Sequence, residues 1–204
     1  MLKQLISKRS LLLVVSLIIT MQSVTAYAAN DLAVIRSMTA KYHRLQVALD
    51  EGFQPVFDCI SHHSEGAMGY HYGLFSRFDD QLVLEEPEVL VYAPDKQGKQ
   101  KLAAVEYIIP AAAWNKAEAP TFLGKTLQLK NTVGPYPADP YWELHVWVWR
   151  HNATDMYADW NPAVSCEHEH ATSANLNATV KSALFISSRT RPIGPITWPK
   201  PPTV

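Results

Sequence analysis

The 204-residue chain is poor in several things, and each shortage excludes a class of function. Beyond Lys3, Lys8 and Arg9 there is no cluster of Lys and Arg, and the formal net charge is −1. Nucleic acid is therefore excluded as a partner, because binding phosphates needs concentrated positive charge. After the first thirty residues no stretch is apolar enough to span a bilayer. No G-x-S-x-G elbow, phosphate loop or dinucleotide fingerprint occurs, which removes elbow-type serine hydrolases, nucleotide kinases and Rossmann oxidoreductases. There are only two cysteines, Cys59 and Cys166. Neither stands at a cleavage point where a lipid could be attached.

At the N-terminus, the basic Lys3, Lys8 and Arg9 precede an apolar block from Leu11 to Ile19, and Ala26 and Ala28 form an A-x-A site. This is the pattern of a secretory signal over residues 1–28, cleaved before Ala29, with no stable membrane insertion afterwards. Periplasmic or secreted localisation follows. In such a compartment an even cysteine count favours a Cys59–Cys166 disulfide.

From Asp31 to Glu51, Leu32, Ile35, Met38, Tyr42, Leu45 and Leu49 recur at steps of three and four. The spacing predicts one amphipathic helix, stopped at Gly52. Strands are predicted at Gly69 to Phe75, Glu88 to Tyr92, Leu102 to Ile109, Thr126 to Leu129 and Trp142 to Trp149, with a turn at Asp95 to Gly98. Ala117 to Tyr141 reads as a long surface excursion around one short strand. The expected fold is α+β, an N-terminal amphipathic helix on a mainly antiparallel β-sheet. Residues 29–166 form that domain, and residues 167–204 read as a weakly ordered C-terminal extension.

Strand alternation sets His71 opposite Tyr70 and Tyr72, and puts Glu106 on the face of Ala104 and Ile108. It groups His145 with Glu143, Trp147 and Trp149, away from Leu144, Val146 and Val148. A mid-strand carboxylate such as Glu106 is costly unless paired or bound to a cation. If the three faces share a pocket, His71, Glu106 and His145 form a metal-ligand set, with Glu88 and Trp147 as further ligand-binding residues. The competing reading is a buried hydrogen-bond network of the same three residues.

Two outlying groups carry weaker signals. A disulfide would bring His62 and His63 toward Glu167-His168-Glu169-His170, an exposed cluster with metal-ligating spacing. Asp159 and Asn161 could contact a ligand or serve as backbone caps. A hydrolase built on two of Glu65, Glu88, Glu106 and Asp159 is formally available.

The blocks Gly66-Ala-Met-Gly-Tyr-His-Tyr72, Pro87-Glu-Val-Leu-Val-Tyr92, Val105-Glu-Tyr107, Leu144-His-Val-Trp-Val-Trp-Arg150 and Ala158-Asp-Trp-Asn-Pro162 before Cys166 occur in that order. Together they resemble a family of small uncharacterised exported bacterial proteins. The resemblance implies one compact exported domain and points to His71, Glu106 and His145, without supplying a reaction. The expected function is binding of a small molecule or a divalent metal in a polar-aromatic pocket. Zinc or copper is favoured over iron, because the cofactor must be acquired after export. One alternative is a metal-dependent periplasmic enzyme with Glu88 or Glu65 handling protons. The other is a structural or interaction protein without a site.

Overall fold

The computed structural model describes residues 30–167 and residue 197. The expected secretion signal and nearly all of the expected C-terminal extension, including His168 and His170, lie outside the described residues.

A six-stranded antiparallel sheet dominates. Its strands are β1 (Gln54–His62), β2 (Gly66–Gly73), β3 (Val89–Pro94), β4 (Gln100–Pro110), β7 (Gln128–Val133) and β8 (Tyr136–Val146), in the order β1-β2-β3-β4-β8-β7. A small hairpin, β5 (Thr121–Phe122) and β6 (Lys125–Thr126), stands beside it. The sheet curls as a half-barrel. Its outer strands approach one another, since Ile60 of β1 and Val133 of β7 share one core.

Each face of the sheet carries its own core, as alternation requires. The concave face holds Met68, Val89, Val91, Ala104, Ile108 and Tyr141. Leu90, Tyr92, Val105, Tyr107, Leu144 and Val146 point the other way, toward Ile35, Tyr42 and Ala48. Among the described residues no helix is long and apolar enough to cross a membrane.

The helical region differs from the single helix expected over Asp31 to Glu51. A helix over residues 30–39 (α1) gives way to a 3-10 turn at Ala40–His43, an extended Arg44, and a short helix α2 (Leu45–Asp50). The physical cause is competition for backbone carbonyls. Thr39 Oγ1 donates to the Ile35 carbonyl at 2.6 Å, and the Tyr92 hydroxyl donates to the Tyr42 carbonyl at 2.7 Å. Side-chain bonds of this kind bend helices. The break re-phases the apolar stripe, so Met38 and Leu49 face solvent while Ala48 is buried.

The strand boundaries also shift. β1 is an additional strand, and the stretch from Ala117 to Tyr141 is no loop excursion: it contains β5, β6, β7 and the start of β8. β8 ends at Val146, so Trp149 leaves the face of His145 and donates through Nε1 to Thr39 Oγ1. The turn at Asp95 to Gly98 lies where expected, with Asp95 Oδ1 accepting from the amides of Gln97 and Lys99.

Two glycines of β2 let other backbone come close. Gly66 has φ +94°, and a Cβ there would overlap the Asn161 carbonyl oxygen. Gly69 has φ +105°, and any added Cβ would overlap the Tyr92 carbonyl oxygen. Only glycine meets both conditions. The Cys59–Cys166 disulfide closes a 107-residue separation and ties β1 to the chain beyond β8.

Candidate functional site

The polar side chains on the concave face come from neighbouring strands whose register is fixed. Glu106 of β4 pairs directly with His145 of β8 and with Val89 of β3. His71 of β2 lies opposite Val91, the next inward-facing residue of β3. Glu143 precedes His145 by two residues and so shares its face. All four are buried.

Their atoms converge on one carboxylate. His71 Nε2 lies 3.1 Å from Glu106 Oε1 in a hydrogen bond. His145 Nδ1 lies 3.0 Å from the same oxygen, yet off the line a hydrogen bond requires. Glu143 Oε1 stands 4.0 Å from His145 Nδ1. Neither His145 nitrogen nor Glu143 Oε1 has a hydrogen-bond partner. Buried polar atoms left in this way cost about 1–3 kcal/mol each, and they call for an explanation such as an ion or a water.

Lys130 of β7 fixes the orientation of Glu143. Its Nζ lies 2.9 Å from Glu143 Oε2 and 2.7 Å from Asp159 Oδ2. One carboxylate oxygen of Glu143 is thereby occupied, and the other is left facing His145. Asp159 is held in its turn by the loop between Trp147 and Asn161. There Trp147 Nε1 donates to the Ala158 carbonyl, and Asn152 Nδ2 donates to that of Trp160.

The crowding of charge shifts the titrations. Burial pushes the Glu143 carboxyl up to about 7, with Glu106 adding to the effect and Lys130 opposing it. Burial also works against ionised Glu106, but the charge of His71, with both imidazoles set against the carboxylate, holds it well below the usual carboxylate range. For His71, burial is the largest influence and favours the neutral ring. The Glu106 charge and hydrogen bond outweigh it, so the ring is raised above its ordinary value.

A cavity of about 10 Å³ adjoins the cluster, lined by His71, Glu106 and Glu143 and by apolar residues that include Phe57, Val89 and Ile108. Roughly 10–15 Å³ is what one water needs. With the side chains as they stand, an ion or a water fits and an organic molecule does not.

The chain matches no protein-family profile, no curated protein and no solved structure. Its function is therefore read from the geometry of the site.

Of the residues expected from sequence, His71, Glu106 and His145 meet at Glu106 Oε1. Glu88 is elsewhere: its carboxylate accepts the Ile108 amide at 3.0 Å, and burial raises it well above the ordinary value. It supports the strand backbone and does not line the cavity. Trp147 packs on His145, with ring centroids 4.6 Å apart, but its indole N–H is taken by the Ala158 carbonyl. Glu65 is exposed and lies 3.5 Å from His62, so neither Glu65 nor Glu88 reaches the cluster to handle protons. Asn161 serves as a backbone cap, donating to the His151 carbonyl and accepting from the Ala163 amide.

Glu143 and Lys130 are members that the expected ligand set does not include. For Glu143 the signal is present: Glu143-Leu144-His145 in a strand sets two ligand-type side chains side by side. Among the described residues Glu106, Glu143 and His145 form a group whose ligand atoms all lie within 4.8 Å of one another.

Proposed function

We propose that this is an exported metal-binding protein, holding one divalent ion between Glu106, Glu143 and His145, with His71 hydrogen-bonded to Glu106 behind them. The observation that carries the reading is the pair His145 Nδ1 and Glu143 Oε1, buried, unpartnered and 4.0 Å apart beside Glu106 Oε1. Ligand atoms near 2.1 Å from a common ion stand about 3.0–3.4 Å apart, depending on the coordination angle. The 3.0 and 4.0 Å contacts of His145 Nδ1 bracket that spacing. One imidazole and two carboxylates, with water in a fourth position, suit zinc, and copper binds such ligands more tightly still by intrinsic affinity. Iron is the weaker candidate for a site filled after export.

Four further points support export and the rest of the architecture. Residues 1–28 read as a secretion signal, and the Cys59–Cys166 bridge suits an oxidising compartment. The resemblance to exported bacterial proteins agrees with both. On the convex side, Ile35, Tyr42 and Ala48 share a core with Leu90 and Tyr92, so the helical region acts as an amphipathic cover away from the ion.

The test is elemental analysis and zinc titration of the full chain without a polyhistidine tag, alongside His145→Ala and Glu143→Gln. The expected result is about one equivalent of metal in the wild type and under a tenth of that in either variant. Wild-type protein that neither carries nor takes up metal defeats the proposal, and leaves the cluster as an internal charge network.

A further inference from the structure

We infer that Phe57 decides what reaches the ion, standing as a gate in the seam where the half-barrel's two free edges meet. The inference rests on the metal-binding reading and adds to it the route by which the ion and its ligands enter.

The seam is defined by contacts between β1 and the β7–β8 hairpin, which are the two ends of the strand order. A Cβ placed on Gly134, in the turn of that hairpin, would lie 2.6 Å from Ile60 Cγ2 of β1. The rings of Phe57 and Tyr136 lie parallel, at 6° with centroids 6.4 Å apart. The Phe57 ring also meets His71 edge-on at 5.8 Å. A half-buried phenyl ring thus touches both His71, which holds the ligand Glu106, and an exposed tyrosine.

Two cavities share this wall. The 10 Å³ cavity beside Glu106 and Glu143 is bounded by Val56 and Phe57. The same two residues bound a second cavity of about 180 Å³, which opens between Asp58, Ile60 and Tyr136. The inner space admits one water-sized species, whereas the outer has room for a larger guest. Removing the Phe57 ring would join them.

The backbone at this point is suited to movement. Register shifts fall on both sides of Phe57, between Pro55 and Phe57 and between Phe57 and Ile60. Pro55 contributes no amide hydrogen to the ladder. Irregular edge strands of this kind gather beside functional sites, where they re-aim a side chain. With Phe57 in place, only water or hydroxide can complete the coordination of the ion. Small linear anions such as azide require the ring to move.

The experiment uses the full chain loaded with one equivalent of cobalt(II), whose visible spectrum reports its ligands. Wild type is compared with Phe57→Ala, Phe57→Leu and Tyr136→Ala for the rate of cobalt loss to excess EDTA and for azide-induced spectral change. The expected result is cobalt loss at least about ten times faster in Phe57→Ala, with an azide-dependent spectrum that wild type lacks. Phe57→Leu, which keeps most of the bulk, should stay within about twofold of wild type. Tyr136→Ala removes only an exposed ring and should accelerate loss about threefold, which provides a reading even if Phe57→Ala fails to fold. Cobalt bound by all chains with equal loss rates and no azide response overturns the gate and leaves the metal reading intact. Failure of wild type to take up cobalt or zinc overturns the metal reading itself.

Discussion

Glu143 Oε1 and His145 Nδ1 face each other across 4.0 Å on one side of β8, both buried and neither hydrogen-bonded. His145 Nδ1 lies nearer still to Glu106 Oε1, at 3.0 Å, and a cation shared by the three would satisfy them all. Replacing Glu143 by Gln keeps the shape and removes the charge. Zinc affinity should fall at least about 100-fold, because a direct ligand matters more than an outer-shell one. Competition with a chromophoric chelator gives the number.

Lys130 makes a second, separable claim, since its ammonium neutralises Glu143 on one side and Asp159 on the other. Lys130→Met should cost about 3 kcal/mol, because it leaves buried carboxylate unpaired. Adding Glu143→Gln to Lys130→Met should recover a large part of that loss. A double-mutant cycle by urea denaturation measures the coupling, and additive losses would separate the two residues.

The metal-free protein should have a stability that depends on pH with a definite sign. Glu143 is raised from 4.5 to about 7, so the folded state holds a proton that the unfolded chain has released. Its favourable contribution is complete below 4.5 and is lost as pH rises to about 7. His71, raised above 6.5, acts in the same direction, with its contribution lost as pH rises through the folded value. Glu106 is lowered, so its contribution is present above 4.5 and is lost as pH falls below that. Thermal midpoints of chelator-treated protein should therefore fall from about pH 5 to about pH 8. Saturating zinc should reverse the trend, because binding expels those protons.

How much of this is legible in the sequence follows from how regular each strand is. β4 alternates from Ala104 to Ile108, beyond the register shift at Ala103, and the inward position of Glu106 can be read directly. β1 cannot, because Pro55 and its register shifts erase the two-residue period. Lys130 lies in a stretch broken by prolines and glycines, where nothing local tells that β7 pairs with β8. Glu143 is visible on the face of His145, but taking one ligand from each strand stops at His145. Glu88 misleads for the opposite reason: a carboxylate beginning an apolar strand looks functional, whereas this one satisfies the Ile108 amide.

Glycine at position 69 is a structural requirement that mutation can expose. With φ +105° and the Tyr92 carbonyl oxygen inside contact distance of any added methyl group, Gly69→Ala combines strain with a backbone clash. The expected loss is about 2–4 kcal/mol in urea denaturation. Since Gly69 is two residues from His71, zinc affinity should weaken in the same variant.

The Cys59–Cys166 bridge should leave no free thiol in the native protein and should carry a measurable share of its stability. Replacing both cysteines by Ser should cost roughly 2–5 kcal/mol. Thermal denaturation of oxidised and doubly substituted chains makes the comparison.

The central claim is a position in space, and anomalous diffraction at the zinc edge from zinc-soaked crystals of the untagged chain tests it most directly. The account predicts one peak on the concave face, about 2.0–2.2 Å from His145 Nδ1, Glu143 Oε1 and Glu106 Oε1. No peak there, with zinc found only at surface histidines such as the half-buried His62 and the exposed His63, would contradict it.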